Sequence, residues 1–249
     1  MEKGGTVMDF PRGTIEELNL FSYSLGEEMT LLVYLPSTFS PLYKYTVLIA
    51  QDGRDYFQLG RIGRTADELL ANQVIENLII IGVPYKSVED RKRKYHPNGD
   101  QHEAYIRFLA HELVPFLDEE YPTFQMGMGR GLIGDSLAAT VSLMAALEYP
   151  NTFGHIILQS PYVDDKVLTS ARHFRDTGLL NIYHTIGNKE TEVKTTDHSK
   201  KDFLTPNREL SEILRKHKST YHYAEFEGGH YWTHWQPDIK LALKKLFSK

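Results

Sequence analysis

The chain of 249 residues contains no cysteine. Disulfides, thiolate nucleophiles and thiolate metal sites are therefore excluded together, and the composition fits a reducing compartment. No apolar run approaches the roughly 20 residues of a membrane span. The opening Met1-Glu-Lys-Gly-Gly-Thr lacks the apolar centre of a secretory signal, so the expected location is cytoplasmic, away from membranes. Positive charge is not in excess: 28 Lys and Arg stand against 33 Asp and Glu, for a net charge of −5. Without a global basic field, nucleic acid is not expected as a partner. No repeat, low-complexity segment or linker divides the chain, and one domain over residues 1–249 is expected. Nothing in the sequence specifies an oligomeric state.

What is present is a regular alternation of apolar runs and helical periodicity. Runs at 15–23 and 29–35 flank Gly26-Glu-Glu and predict an antiparallel hairpin. Near-continuous apolar runs at 45–50 and 78–83 read as strands buried on both faces, and further strands are expected at 154–158, 179–186 and 221–226. Helices are expected at 66–72, 103–120, 140–147, 166–175, 208–217 and 238–247, whereas 85–100 and 191–206 read as polar loops. Strands alternating with helices imply right-handed crossovers and a mainly parallel sheet covered on both faces, an α/β fold. Ligands bind such sheets at the carboxyl edge of the strands. That rule singles out the segments 51–56, 84–100, 134–138, 159–165, 187–206 and 227–236.

One of these segments is Arg130-Gly-Leu-Ile-Gly134-Asp-Ser136-Leu-Ala138-Ala139, an apolar strand end, a sharp turn with one serine, and the start of an alanine-rich helix. Such a turn presents a serine hydroxyl near a helix N-terminus, where backbone N–H groups favour developing negative charge. Strand and helix approach closely there, so the residues two before and two after the serine must be small; they are Gly134 and Ala138. The bland alternative for Ser136 is a helix N-cap. A base for the serine is offered by His230 in Glu227-Gly-Gly-His230-Tyr-Trp232-Thr-His234-Trp235, since neutral imidazole can accept and return a proton near pH 7. Glu190, just past Gly187, is the nearest carboxylate to orient it, with Glu192 and Asp197 in the same loop. The order serine, acid, histidine is that of α/β-hydrolases. His230 and His234 stand four apart but lack the His-Glu-x-x-His arrangement and an evident third ligand, so no metal is expected.

Taken together, Ala50-Gln-Asp-Gly53, Glu112-Leu-Val-Pro115 with Tyr121, the Ser136 turn, Gln159-Ser-Pro161, Gly187-Asn-Lys-Glu190 and Gly228-Gly-His230-Tyr-Trp232-Thr-His-Trp235 resemble the putative esterase family of α/β-hydrolases. That family includes enterochelin and related siderophore esterases, feruloyl esterases and mycolyltransferases. The resemblance runs over roughly residues 28–247 and implies an α/β-hydrolase fold. It implies Ser136 as nucleophile, His230 as base and Glu190 as acid, and an oxyanion hole from the backbone N–H of Leu137 and that of Gly53 or Arg54. The expected activity is cofactor-free hydrolysis of a small-molecule ester through an acyl-enzyme. Acyl transfer, or a non-catalytic binding module on the same scaffold, is the alternative. Two departures stand out: Ala138 and Ala139 replace the usual glycines, and Arg91-Lys-Arg-Lys94-Tyr95 has lysine where the family has an acid. The basic run lies at the expected edge of the sheet and suggests an anionic ester, such as a catecholate siderophore, with Arg91 in contact. Tyr162, Tyr231 and Trp232 are expected to line the pocket.

Overall fold

The N-terminal hairpin pairs β1 (Thr14–Ser22) with β2 (Glu27–Leu35), in unbroken antiparallel register from Thr14 opposite Leu35 to Ser22 opposite Glu27. The computed structural model describes residues 10–175, 178–196 and 199–249. The strands β3 (Thr46–Gln51), β4 (Leu78–Val83), β5 (Arg130–Asp135) and β6 (His155–Gln159) are buried at every position, and β7 (Asn181–Gly187) at all but its first. A small ribbon of β8 (Val193–Lys194) and β9 (Lys200–Lys201) stands apart, and β10 (Thr220–Phe226) closes the main sheet. The strand order is β1-β2-β4-β3-β5-β6-β7-β10, parallel from β4 onward, with β2 antiparallel to both its neighbours.

Side chains alternate across the sheet because successive Cβ atoms point to opposite faces. Val47 and Ile49 of β3, Ile79 and Ile81 of β4, Leu132 of β5 and Ile156 of β6 enter one core. Their neighbours Leu48, Ile80, Ile133 and Ile157 enter the other. Each fully buried Ile or Leu contributes about 1.5–3 kcal/mol, so both faces demand cover. Helices α1 (Gly53–Gln58) and α2 (Ile62–Ala71) supply part of it on the second face. The first face carries α3 (Val88–Tyr95), α4 (His102–Phe108) continued through a π-helical turn into α5 (Val114–Glu120), α6 (Leu137–Glu148), α7 (Asp165–His173) and α8 (Leu204–Leu214). The chain ends in α9 (Trp232–Phe247), which packs beside α2. No helix among the described residues is long and apolar enough to cross a membrane.

Three segments differ from expectation. The basic run at 91–94 lies on α3, inside the stretch expected to be a loop. Its only apolar positions are Val88 and Tyr95, so it shows no apolar stripe. It is held by the Ser87 cap on the Asp90 N–H (3.1 Å), by acids in its first turn and by bases in its last. The last helix begins at Trp232 and carries Pro237 within it, six residues before the expected start. The polar loop expected over 191–206 contains the β8–β9 ribbon and the start of α8.

Candidate active site

Strand β5 delivers Ser136 into the turn before α6 with φ 53° and ψ −124°. This is outside the regions L-residues favour, at a cost of about 1–3 kcal/mol. Three backbone hydrogen bonds hold the turn: Ser136 N–H to Gln159 O (2.9 Å), Thr140 N–H to Ser136 O (3.1 Å) and Tyr162 N–H to Ser136 O (3.2 Å). Strand and helix come so close that a Cβ on Gly134 would lie 2.2 Å from the Ala138 carbonyl carbon. Glycine is therefore required at 134, while Ala138 and Ala139 fit as fully buried residues. Leu137 opens α6, so its N–H has no carbonyl a turn earlier.

The loop after β10 carries His230, whose Nδ1 lies 2.6 Å from Glu190 Oε2. Glu190 is fully buried. Its other oxygen accepts the Ser160 hydroxyl (2.7 Å) and the Gly187 N–H (2.9 Å). Ser160 in turn accepts the Trp235 indole N–H (3.0 Å) and holds a left-handed backbone at φ 50°. Carboxylate and imidazole are thus oriented by a chain running Trp235, Ser160, Glu190, His230. Phe203 and Trp235 place their rings edge-on to the imidazole at 4.6 and 4.8 Å. The Glu190 carbonyl receives the N–H groups of Phe203 (2.8 Å) and Leu204 (3.2 Å). Of the other two carboxylates, Glu192 is exposed and pairs with Lys200 at 2.6 Å. Asp197 lies outside the described residues.

Ser136, Leu137 and His230 line one cleft of about 400 Å³, with Tyr162 and Arg91. Ser136 and His230 share no hydrogen bond among the described residues, a spacing that commonly tightens only when substrate binds. Arg91 is committed within the protein. Its Nε lies 2.9 and 2.8 Å from the two Asp52 carboxylate oxygens, and Nη2 lies 2.6 Å from Oδ2 and 3.4 Å from the Asp135 carbonyl. Burial pushes the Asp52 carboxyl up and the Arg91 charge opposes it, while Asp52 holds the guanidinium protonated. Burial, then the neighbouring Asp52, pushes the carboxyl of Asp135, another residue of the cleft wall, well above its ordinary value. Arg93 pairs with Asp100, and buried Lys94 with Glu27 and Asp90. Of the basic run, only Lys92 is in the cleft wall without a carboxylate partner among the described residues.

Four predicted residues are not among those that line the cleft. Gly53 and Arg54 do not line the cleft; they open α1 at the same sheet edge, with N–H groups that lack an earlier carbonyl. Gly53 presses on β4, where a Cβ would lie 2.4 Å from Gly82 Cα. Tyr231 is exposed and outside the cleft. Trp232 packs edge-on to Tyr56 and Trp235, at 5.0 and 5.5 Å, against the second core. His234 stacks on Phe226 at 5.5 Å. Sequence reasoning missed Lys194, Lys201 and Phe203, which the ribbon and the start of α8 bring to the cleft. It also missed Ser160 as the partner of Glu190, for which the signal was its place directly after β6.

A sequence profile described as "Putative esterase" matches residues 22–246. The chain belongs to the putative esterase family. Among family relatives, YjcH, an uncharacterised protein of Bacillus subtilis, is 61% identical over 234 residues, covering 94% of this chain and 98% of YjcH. The fold is that of solved esterases. A ferulic acid esterase superposes with a TM-score of 0.72 at 15% identity, covering 95% of this chain and 98% of the other. The ferric enterobactin esterase of Salmonella typhimurium superposes at 0.80 with 16% identity, covering 96% of this chain and 59% of that longer one. The resemblance read from the sequence is thus the family itself, on a mainly parallel sheet with an antiparallel N-terminal hairpin.

Proposed function

We propose that this esterase-family chain is a serine carboxylic-ester hydrolase. The observation that carries the reading is the buried Glu190 carboxylate 2.6 Å from His230, in a cleft whose wall includes a serine at φ 53°. Ser136 Oγ attacks the ester carbonyl and its proton passes to His230 Nε2. Glu190 stabilises the imidazolium through Nδ1–H. The oxyanion is held by the Leu137 N–H and by that of Gly53 or Arg54. The alcohol leaves with the proton from His230; water then repeats the sequence on the acyl-enzyme. A fluorophosphonate probe tests this: the folded protein should label once, on Ser136. A folded protein that stays unlabelled would favour a non-catalytic binding module.

The positioning chain gives a second test. Ser160→Ala removes one donor from Glu190 and strands the Trp235 N–H. Turnover of a p-nitrophenyl ester should fall by up to about 100-fold, in kcat rather than KM. Equal kcat would separate Ser160 from the chemistry.

The substrate reading moves from Arg91 to other cations. Lys92, Lys194 and Lys201 stand around a cleft that also holds Tyr162 and Phe203, and Lys201 lies 5.0 Å over the Tyr162 ring. Burial pushes the imidazole of His96, beside them in the wall, below its ordinary value. Such a wall suits an ester with an aromatic group and negative charge, in keeping with the ferulate and enterobactin named for the structural neighbours. Lys92→Gln with Lys201→Gln should lower kcat/KM for an anionic aryl ester by about tenfold relative to its neutral methyl analogue. An unchanged ratio would remove the charge argument.

A further inference from the structure

A second cavity, of about 320 Å³, opens where the first hairpin meets α1 and α2, and it shares no lining residue with the Ser136 cleft. Three exposed arginines line it: Arg12 just before β1, Arg61 in the turn before α2, and Arg64 in the first turn of α2. Among the described residues none of these three has a carboxylate partner. The one acid in the wall is buried Asp67, whose Oδ1 accepts the N–H of Gly13 (2.8 Å) and the hydroxyl of Tyr34 (2.6 Å), two residues of the same wall. Burial, then Asp67, pushes the Tyr34 phenol up, so it keeps its proton.

The backbone points the same way. Arg61 is the N-cap of α2, in a left-handed conformation at φ 51°, and makes no side-chain cap. The first turn of α2 contains no acid, its leading N–H groups have no side-chain cap, and Gly63 and Arg64 of that turn line the cavity. Cations at the positive end of a helix are the reverse of what stabilises it. An anion in the cavity would reconcile the uncapped helix end, the unpaired guanidiniums and their mutual repulsion. Phosphate fits better than carboxylate, because it offers more acceptor oxygens and greater charge to several planar forks and to helix N–H groups. Half-buried Phe57 and half-exposed Ile15 add an apolar wall beside them.

We propose that this cavity binds a small phosphate-bearing molecule, the phosphate held by Arg12, Arg61, Arg64 and the start of α2, and the organic part resting on Phe57 and Ile15. The inference is independent of the esterase reading. Isothermal titration of the full chain with inorganic pyrophosphate and with phenyl phosphate, at ionic strength matched by NaCl, tests it. Saturable binding of both at one site is expected, weakened at least about tenfold by Arg61→Gln with Arg64→Gln. Fluorophosphonate labelling of that variant should match the wild type. If the double variant does not fold, Arg12→Gln, outside the helix, should weaken binding in the same direction. No saturable binding to the wild type overturns the proposal, as does affinity unchanged in the variants. Protection of Ser136 from labelling by pyrophosphate would also overturn it, placing the anion among the cleft lysines.

Discussion

Ser136→Ala should lower kcat for a p-nitrophenyl acyl ester by about 10⁴-fold or more and abolish fluorophosphonate labelling, with little loss of thermal stability. The large effect follows from the role proposed for Ser136, as the nucleophile whose proton His230 takes. The small effect on stability follows from the local structure. Among the described residues the Ser136 hydroxyl has no hydrogen-bond partner, and the bonds that hold the turn come from backbone groups that alanine retains. Turnover is measured at saturating substrate, and melting by circular dichroism. Residual activity within tenfold of wild type would mean that the ester is cleaved elsewhere.

The largest loss of stability is expected from Arg91→Ala. The guanidinium bridges the ends of two neighbouring strands, holding the Asp52 carboxylate after β3 and reaching the Asp135 carbonyl at the end of β5. Asp52 is 2% exposed, so removing its partner leaves an uncompensated buried charge. Breaking a buried pair in this way costs about 3–5 kcal/mol, and each kcal/mol moves Tm by about 2–4 °C at this chain length. The sign of the pH dependence follows from Asp52. Its carboxyl is already raised by burial in the folded state, and loss of Arg91 raises it further. The native state then binds more protons than the unfolded chain above the unfolded carboxyl pKa of about 3.9, so stability falls as pH rises through that window. The deficit should be larger at pH 8 than at pH 5. Adding Asp52→Leu should recover much of the loss, because the stranded charge is removed. A deficit independent of pH, or no recovery, would show that Arg91 acts through packing alone.

The parts of the fold that were legible in the sequence are those whose signal is burial. The runs at 45–50 and 78–83 are buried on both faces, and β3 and β4 follow them closely. Gly134 and Ala138 were readable because steric contact leaves little choice at those positions. The basic stretch was misread because its helix is held by a serine cap and ion pairs, which leave no period in hydrophobicity. Arg91 illustrates the same limit on the site. Charge type is visible along a chain, whereas the partner that occupies a charge is 39 residues away and appears only on folding. Trp232 was placed near the cleft by its neighbours in sequence, but the helix that starts at this residue turns it toward Tyr56. The lysines of the ribbon come from a segment without a recognisable spacing, and the role of Ser160 beside Glu190 appears only when β6 and β7 are brought side by side.

The two N–H groups that close on the Glu190 carbonyl give the segment from 190 to 203 a stapled base. Its neck is fixed by the backbone, while its body supplies Val193, Lys194, Thr195 and Lys201 to the cleft wall. Insertions, deletions or wholesale exchange of that body can therefore alter which ester is admitted without displacing the carboxylate at its foot. On the proposed mechanism, selectivity and acid–base machinery would occupy one continuous stretch of chain, and evolution could edit the first while leaving the second in register.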